Sequence, residues 1–188
     1  GAAFLIGTVG RMMLRADAPA LVLAPMEGVT DAPMRALQGE CGAFTYSVSE
    51  FLRVSQAVPP AKVFFHHIPE LRNNAVTPSG LPVQVQLLGG DAQLMAASAV
   101  KAVECGATAI DINFGCPAPT VNRHDGGATL LKYPKRIREI VAAVRSAVRD
   151  EFSPWTSPAA FIATVVACVL FAHVRIYSSQ AFPLWLTS

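Results

Sequence analysis

The residues best suited to chemistry lie together in Asn113-Phe114-Gly115-Cys116-Pro117. This segment follows an apolar run, Ala109-Ile110-Asp111-Ile112, that reads as a strand. The Cys116 sulfur therefore stands at the edge of a sheet, where a thiol can act as a nucleophile or a proton donor. Gly115 lets the backbone turn tightly, and Pro117 removes a competing amide and fixes the exit. The same position also suits a buried loop thiol that packs as a small hydrophobe, and the residue types alone leave both readings open. Cys41, beside Gly42, and Cys105, at the end of an apolar helix, read as surface or core thiols. None of the four cysteines (41, 105, 116 and 168) belongs to a CxxC pair or has neighbours at zinc-ligand spacing, so no metal site is expected. His66-His67 lacks a third convergent ligand and reads as packing or surface. Gly126-Gly127 is not a Walker loop, because no GK[ST] follows; it lets loop and helix pack closely.

The elements that must position this loop follow from periodicity and punctuation. The short apolar run at 21–24 reads as a strand buried on both faces, and 45–48, 83–88 and 109–113 read as further strands. Thr30 or Asp31 caps a short helix to about Gln38, ended by Gly39. Asp91 opens an Ala-rich helix to Cys105, with Gly106 in the stop position. From Pro134 to Arg149, Ile137, Ile140, Val141, Val144 and Val148 form one helical stripe, opposite Lys135, Arg136, Arg138, Glu139 and Arg145. Strands alternating with amphipathic helices imply βα units and a parallel sheet, and four such units end near residue 150. In such α/β folds chemistry gathers on loops leaving the carboxyl ends of strands. Those loops are 25–30, 49–53, 89–91 and 114–127.

Composition bounds the possibilities. A chain of 188 residues suits one ordinary domain, and 52% hydrophobic against 15% charged residues excludes a solvated disordered chain. Fifteen basic against thirteen acidic side chains give +2, too little to indicate a nucleic-acid partner from bulk charge. Singly placed cysteines favour a reducing, cytoplasmic setting. The chain divides into an extension (1–19), a regular α/β region (20–150) and a divergent apolar tail (151–188) in which Glu151 and Arg175 are the only residues of the Asp, Glu, Lys and Arg types. In the extension, Gly7 and Gly10 break the apolar run below signal-peptide length. Residues 159–174 are almost wholly apolar but fall short of the roughly 20 residues a membrane-spanning helix needs.

Five blocks together carry a resemblance: APMEGVTDAPMR (24–35), SEFLRV (49–54), PELRNNAVTPSG (69–80), VQLLGG (85–90) and DINFGCPAPTVNRHDGGATLL (111–131). In order and spacing they resemble the bacterial tRNA-dihydrouridine synthases, and the second and third blocks look most like the subgroup that modifies uridine 16. The resemblance implies a TIM-barrel catalytic domain, FMN as cofactor, NADPH as reductant and the D-loop of tRNA as substrate. It matches Cys116 to the catalytic acid that protonates C5 of the uracil while hydride reaches C6. Pro25, Met26 and Glu27 match the loop lining the flavin, and Gln86 the glutamine that hydrogen-bonds it. Asn113 matches the asparagine touching flavin and substrate base. Arg53 matches a position linked to tRNA orientation, and Arg123 is placed to meet RNA phosphate.

The family pattern stops near residue 150. The lysine- and histidine-bearing strands, the phosphate-binding loops and the helical tRNA domain that the resemblance calls for are not recognisable in 151–188. The expectation is therefore the N-terminal half of a (β/α)8 barrel, truncated or frameshifted, with open sheet edges and a tendency to self-associate. Two alternatives follow from the same observation: a non-catalytic fragment, or a membrane-associated protein anchored by 159–174.

Overall fold

The computed structural model describes residues 20–122 and 126–151. The extension 1–19, Arg123 and the apolar tail from 152 onward lie outside the described residues. The described residues form five strands: β1 (Val22–Leu23), β2 (Tyr46–Val48), β3 (Leu52–Val54), β4 (Val83–Gly89) and β5 (Ile110–Ile112). Between and after them come α1 (Ala32–Glu40), α2 (Ala61–His67), α3 (Ala92–Glu104), α4 (Pro119–Asn122) and α5 (Pro134–Glu151), with 3-10 turns at Pro69–Asn73 and Gly127–Lys132.

Every strand pairing is parallel. β2 pairs with the start of β4 and β3 with its end, while β5 takes the opposite edge of β4. The registers reveal how β2 and β3 are related. Val48 stands beside Gln84 and Leu52 beside Leu87, so a four-residue step faces a three-residue step. β2 and β3 are thus one barrel strand carrying a bulge of one extra residue at Ser49–Phe51. With that strand counted once, spatial order follows chain order and never reverses. A doubly wound sheet would reverse at a switch point; consecutive parallel neighbours are the pattern of a βα barrel. The fold is α/β, the N-terminal half of a TIM barrel in four βα units.

The core lies between sheet and helices. Leu52 and Val54, then Val83, Val85 and Leu87, then Ile110 and Ile112 pack against Phe64 of α2, Met95, Ala99 and Ala102 of α3, and Ile137, Ile140 and Val144 of α5. The stripe read from α5 is therefore its buried face, with Val141 and Val148 at its margin. Asp31 caps α1 by accepting from Met34 N at 3.0 Å, and Asp91 caps α3 by accepting from Leu94 N at 2.8 Å. Both satisfy amides that a helix start leaves unpaired.

Two expectations need correction, and one element was not foreseen. Residues 49–53 are not a loop at a strand end but the bulge and the start of β3. The segment 61–73, to which the sequence assigned no element, forms α2 and a 3-10 turn. Finally, α1 does not stop at Gly39 but runs to Glu40. Gly39 serves close packing instead: a Cβ there would sit 2.5 Å from Ser79 Oγ and 3.0 Å from Thr77 Oγ1. No described helix is long and apolar enough to cross a membrane.

Candidate active site

Residues paired across parallel strands present their side chains to the same face, and the face alternates along each strand. The register Gln86 with Asp111 therefore puts both on the sheet face opposite the helix-covered core, the interior of the barrel. Val48 joins them through Gln84, and Arg53 through Leu88. Arg53 is there only because of the bulge. In an uninterrupted strand the alternation from Val48 would turn Leu52 inward and Arg53 into the helix layer. Instead Leu52 is buried in the core and Arg53 is exposed on the inner face.

A chain of hydrogen bonds crosses this inner face. Gln86 Nε2 donates to Asp111 Oδ2 at 2.7 Å, and Asn113 Nδ2 donates to Gln86 Oε1 at 3.1 Å. Asn113 Oδ1 then accepts from Gly115 N at 2.9 Å and Cys116 N at 3.0 Å. The asparagine carbonyl thus ties down the start of the cysteine loop, as Asx turns do. Among the described residues each carboxamide nitrogen makes one such bond, so Gln86 and Asn113 each keep a second N–H. That donor set suits a planar heterocycle whose edge carries carbonyl oxygens and ring nitrogens, as isoalloxazine and uracil rings do.

Cys116 is 8% exposed and packs with Leu88 and Val121, flanked by Phe51 and Ala118. Its carbonyl accepts from Ala128 N at 2.9 Å, which closes the loop from the far side. That closure needs Gly127, where φ is +57° and a Cβ would lie 2.5 Å from the Cys116 carbonyl oxygen. The approach demands glycine twice over, for conformation and for space. Cys105 behaves differently: burial in the outer core pushes its thiol pKa up, against a weaker downward pull from Lys101.

The loop after β1 is braced against the same strands. Thr30 Oγ1 accepts from Met26 N at 2.7 Å, and Met26 O accepts from Val29 N and Thr30 N at 3.0 Å each. Gly28 N donates to Glu50 Oε1 in the bulge. Ser49, its neighbour, accepts at Oγ from Gln86 N at 3.0 Å and donates that hydroxyl to Glu50 O at 2.9 Å. The bulge costs Gln86 a strand partner, and the serine hydroxyl replaces it. In this loop Pro25 is half-buried, while Met26 is 51% exposed and Glu27 is open to solvent. Gln86 and Asn113 are buried, so the site has an open apolar lip and a closed polar floor.

A second buried polar group lies behind α1. Arg35 Nε and Nη2 donate to the two Glu70 carboxylate oxygens at 2.8 Å each, and Nη1 donates to Thr30 O at 2.8 Å. This bidentate pair fixes the end of the β1 loop to the 3-10 turn. His66 and His67 are exposed at the end of α2, with rings edge to face at 5.2 Å. No group of three potential metal ligands converges among the described residues.

Of the residues singled out in the sequence, Gln86, Asn113 and Cys116 fall into one connected network. Pro25, Met26 and Glu27 lie on the neighbouring loop, and Arg53 stands exposed on the inner face. Arg123 is outside the described residues. Sequence reasoning missed Asp111, Ser49 and Glu50. Only Asp111 left a trace, as a carboxylate inside an apolar strand, where a buried charge requires partners.

Residues 22–159 match the family model described as dihydrouridine synthase (Dus). The chain is similar to proteins named tRNA-dihydrouridine(16) synthase. It is 49% identical to one from Shewanella oneidensis over 70% of this chain and 42% of that protein. It is 44% identical to one from Neisseria meningitidis serogroup A over 82% of this chain and 50% of that protein, and 48% identical to one from Vibrio cholerae over 68% and 40%. The chain therefore spans about half the length of the curated relatives it matches, or somewhat less. With a family match over most of its length and a half-barrel of the expected topology, the chain belongs to the dihydrouridine synthase family.

Proposed function

We propose that this chain carries the cysteine-bearing half of an FMN-dependent tRNA-dihydrouridine synthase. It reduces the C5–C6 bond of a D-loop uridine, position 16 being the position in the relatives' names. The observation that supports this best is the linkage of Gln86, Asn113 and Cys116 in one hydrogen-bonded network at the carboxyl edge of the sheet.

FMN held at this site and reduced by NADPH would supply hydride for C6 of the uracil. Cys116 supplies the other half of the addition: its thiol gives a proton to C5, and the resulting thiolate is reprotonated from solvent. A proton donor is useful here only if it is held still, and the Asn113 carbonyl and the Ala128 amide hold its backbone on either side. Pro25, Met26 and Glu27 line the flavin, with Met26 offering an apolar surface. The remaining amide hydrogens of Gln86 and Asn113 meet acceptors on the flavin and the base. Arg53 and Arg123 attract and register the tRNA backbone. The target uridine must leave its stack to reach this floor, which requires local opening of the tRNA. Free thiols at Cys41, Cys105 and Cys116 are in keeping with a cytoplasmic enzyme.

The test is to titrate the full chain with FMN, then supply NADPH and unmodified tRNA and measure dihydrouridine by nucleoside mass spectrometry. Stoichiometric flavin binding is expected. Cys116→Ala should keep the flavin and lower product formation by about 10²–10⁴-fold. A folded chain that binds no FMN would defeat the cofactor assignment. Equal product from Cys116→Ala would remove the acid role.

A further inference from the structure

We infer that Asp111 is a positioning residue that sets the donor–acceptor polarity of the whole active-site floor; the inference rests on the reading of Cys116 as the site's proton donor. A side-chain amide has two chemically different ends that occupy nearly the same shape, so a pair of stacked amides can run in either direction. Here the direction is fixed from both sides. At one end two backbone N–H groups, of Gly115 and Cys116, point at Asn113, so the atom facing them must be its oxygen. The Asn113 nitrogen then faces Gln86, whose oxygen must meet it, and the Gln86 nitrogen faces Asp111. A carboxylate at that point accepts, which agrees with the direction imposed from the loop.

Both ends are needed. If the acceptor at 111 is removed, Gln86 can turn over and present its nitrogen to Asn113. Asn113 must then turn as well, and its own nitrogen meets the amides of Gly115 and Cys116, donor against donor. The turn that holds Cys116 opens. Asp111, 1% exposed on β5 and two residues from Asn113, thus acts on the cysteine loop through two intervening amides. It touches neither cofactor nor base in this scheme.

A fixed polarity makes a demand that a merely structural role does not. Gln86→Glu sets two carboxylates against each other, but Asp111→Asn added to it restores the acceptor that Asn113 needs, with the bond between positions 86 and 111 now reversed. The amide introduced at position 111 then donates to the carboxylate introduced at position 86, which in turn accepts from Asn113. The deciding measurement is peptide-resolved alkylation of Cys116 by iodoacetamide in the full chain without flavin, with circular dichroism confirming the fold of each variant. Gln86→Glu and Asp111→Leu should raise the Cys116 rate by about tenfold through local opening. The Gln86→Glu/Asp111→Asn double variant should return it to within about twofold of the parent, and Asp111→Asn alone, whose amide can accept or donate, should lie between the parent and Asp111→Leu. If Asp111→Leu fails to fold, the Gln86→Glu pair still decides. A double variant no slower than Gln86→Glu would overturn the inference. FMN titration of the parent runs alongside, so a loss of the flavin reading is seen separately from a loss of the relay.

Discussion

The two faces of the single parallel sheet follow different rules. On the outer face, Val83, Val85, Leu87, Ile110 and Ile112 meet the helices through contacts without direction, and any well-filled apolar set of the same volume would serve. On the inner face, Gln86, Asp111 and Asn113 meet through bonds that have a sense, and exchanging donor for acceptor at one position propagates to the next. Stability is therefore drawn chiefly from one face, and the placement of reactive groups from the other.

The outer face should break first and most heavily. Phe64→Ala, at a fully buried position of α2, is expected to cost about 3–5 kcal/mol in a denaturant melt, while Gln86→Leu on the inner face should cost less, because Asp111 keeps a further interaction, and should loosen the Asn113 turn that holds Cys116. Equal losses at the two positions would erase the distinction between the faces. Arg35 and Glu70 test it differently, as a directional pair placed outside the site. Arg35→Leu should destabilise by about 3–5 kcal/mol because it strands the Glu70 carboxylate, and adding Glu70→Leu should recover most of that loss. A double variant as unstable as the single one would show that the geometry, not the stranded charge, sets the cost.

Much of the outer face was legible in the sequence, because apolar period and helix caps are local signals. Asp91 before an Ala-rich run and Pro134 before an Ile/Val stripe led directly to α3 and α5. The inner face was legible only through resemblance, since Gln86 and Asp111 are 25 residues apart and nothing local joins them. The bulge concealed β3 for a related reason. One extra residue at Ser49–Phe51 breaks the alternation, so 46–54 reads as a short strand followed by a loop. In Ala61–His67 three consecutive bulky residues, Val63, Phe64 and Phe65, blur the helical period, and tertiary packing of Phe64 decides the outcome.

Two smaller effects sharpen the comparison. Gly127→Ala should cost about 1–3 kcal/mol through a left-handed backbone and a blocked approach to the Cys116 carbonyl, and it should speed Cys116 alkylation while leaving Cys105 slow. If both cysteines accelerate together, the loop is not an independent unit. Arg53→Ala should change stability by less than about 0.5 kcal/mol. Its effect should appear in tRNA binding, where losing one phosphate contact lowers the salt slope by about one.

The extra residue between Val48 and Leu52 also governs how this strand can change over generations. A point substitution at Arg53 alters one contact at the barrel mouth. Deleting one residue between Val48 and Leu52 would leave a three-residue step that matches β4, so Leu52 and Val54 would keep facing the helices and Arg53 the interior, while the bulge that joins Ser49 Oγ to Gln86 N and Glu50 to Gly28 N would be lost. In this stretch the extra residue is inherited for the contacts that the bulge makes, so a loss of length would loosen the brace of the β1 loop and leave the facing of the strand unchanged.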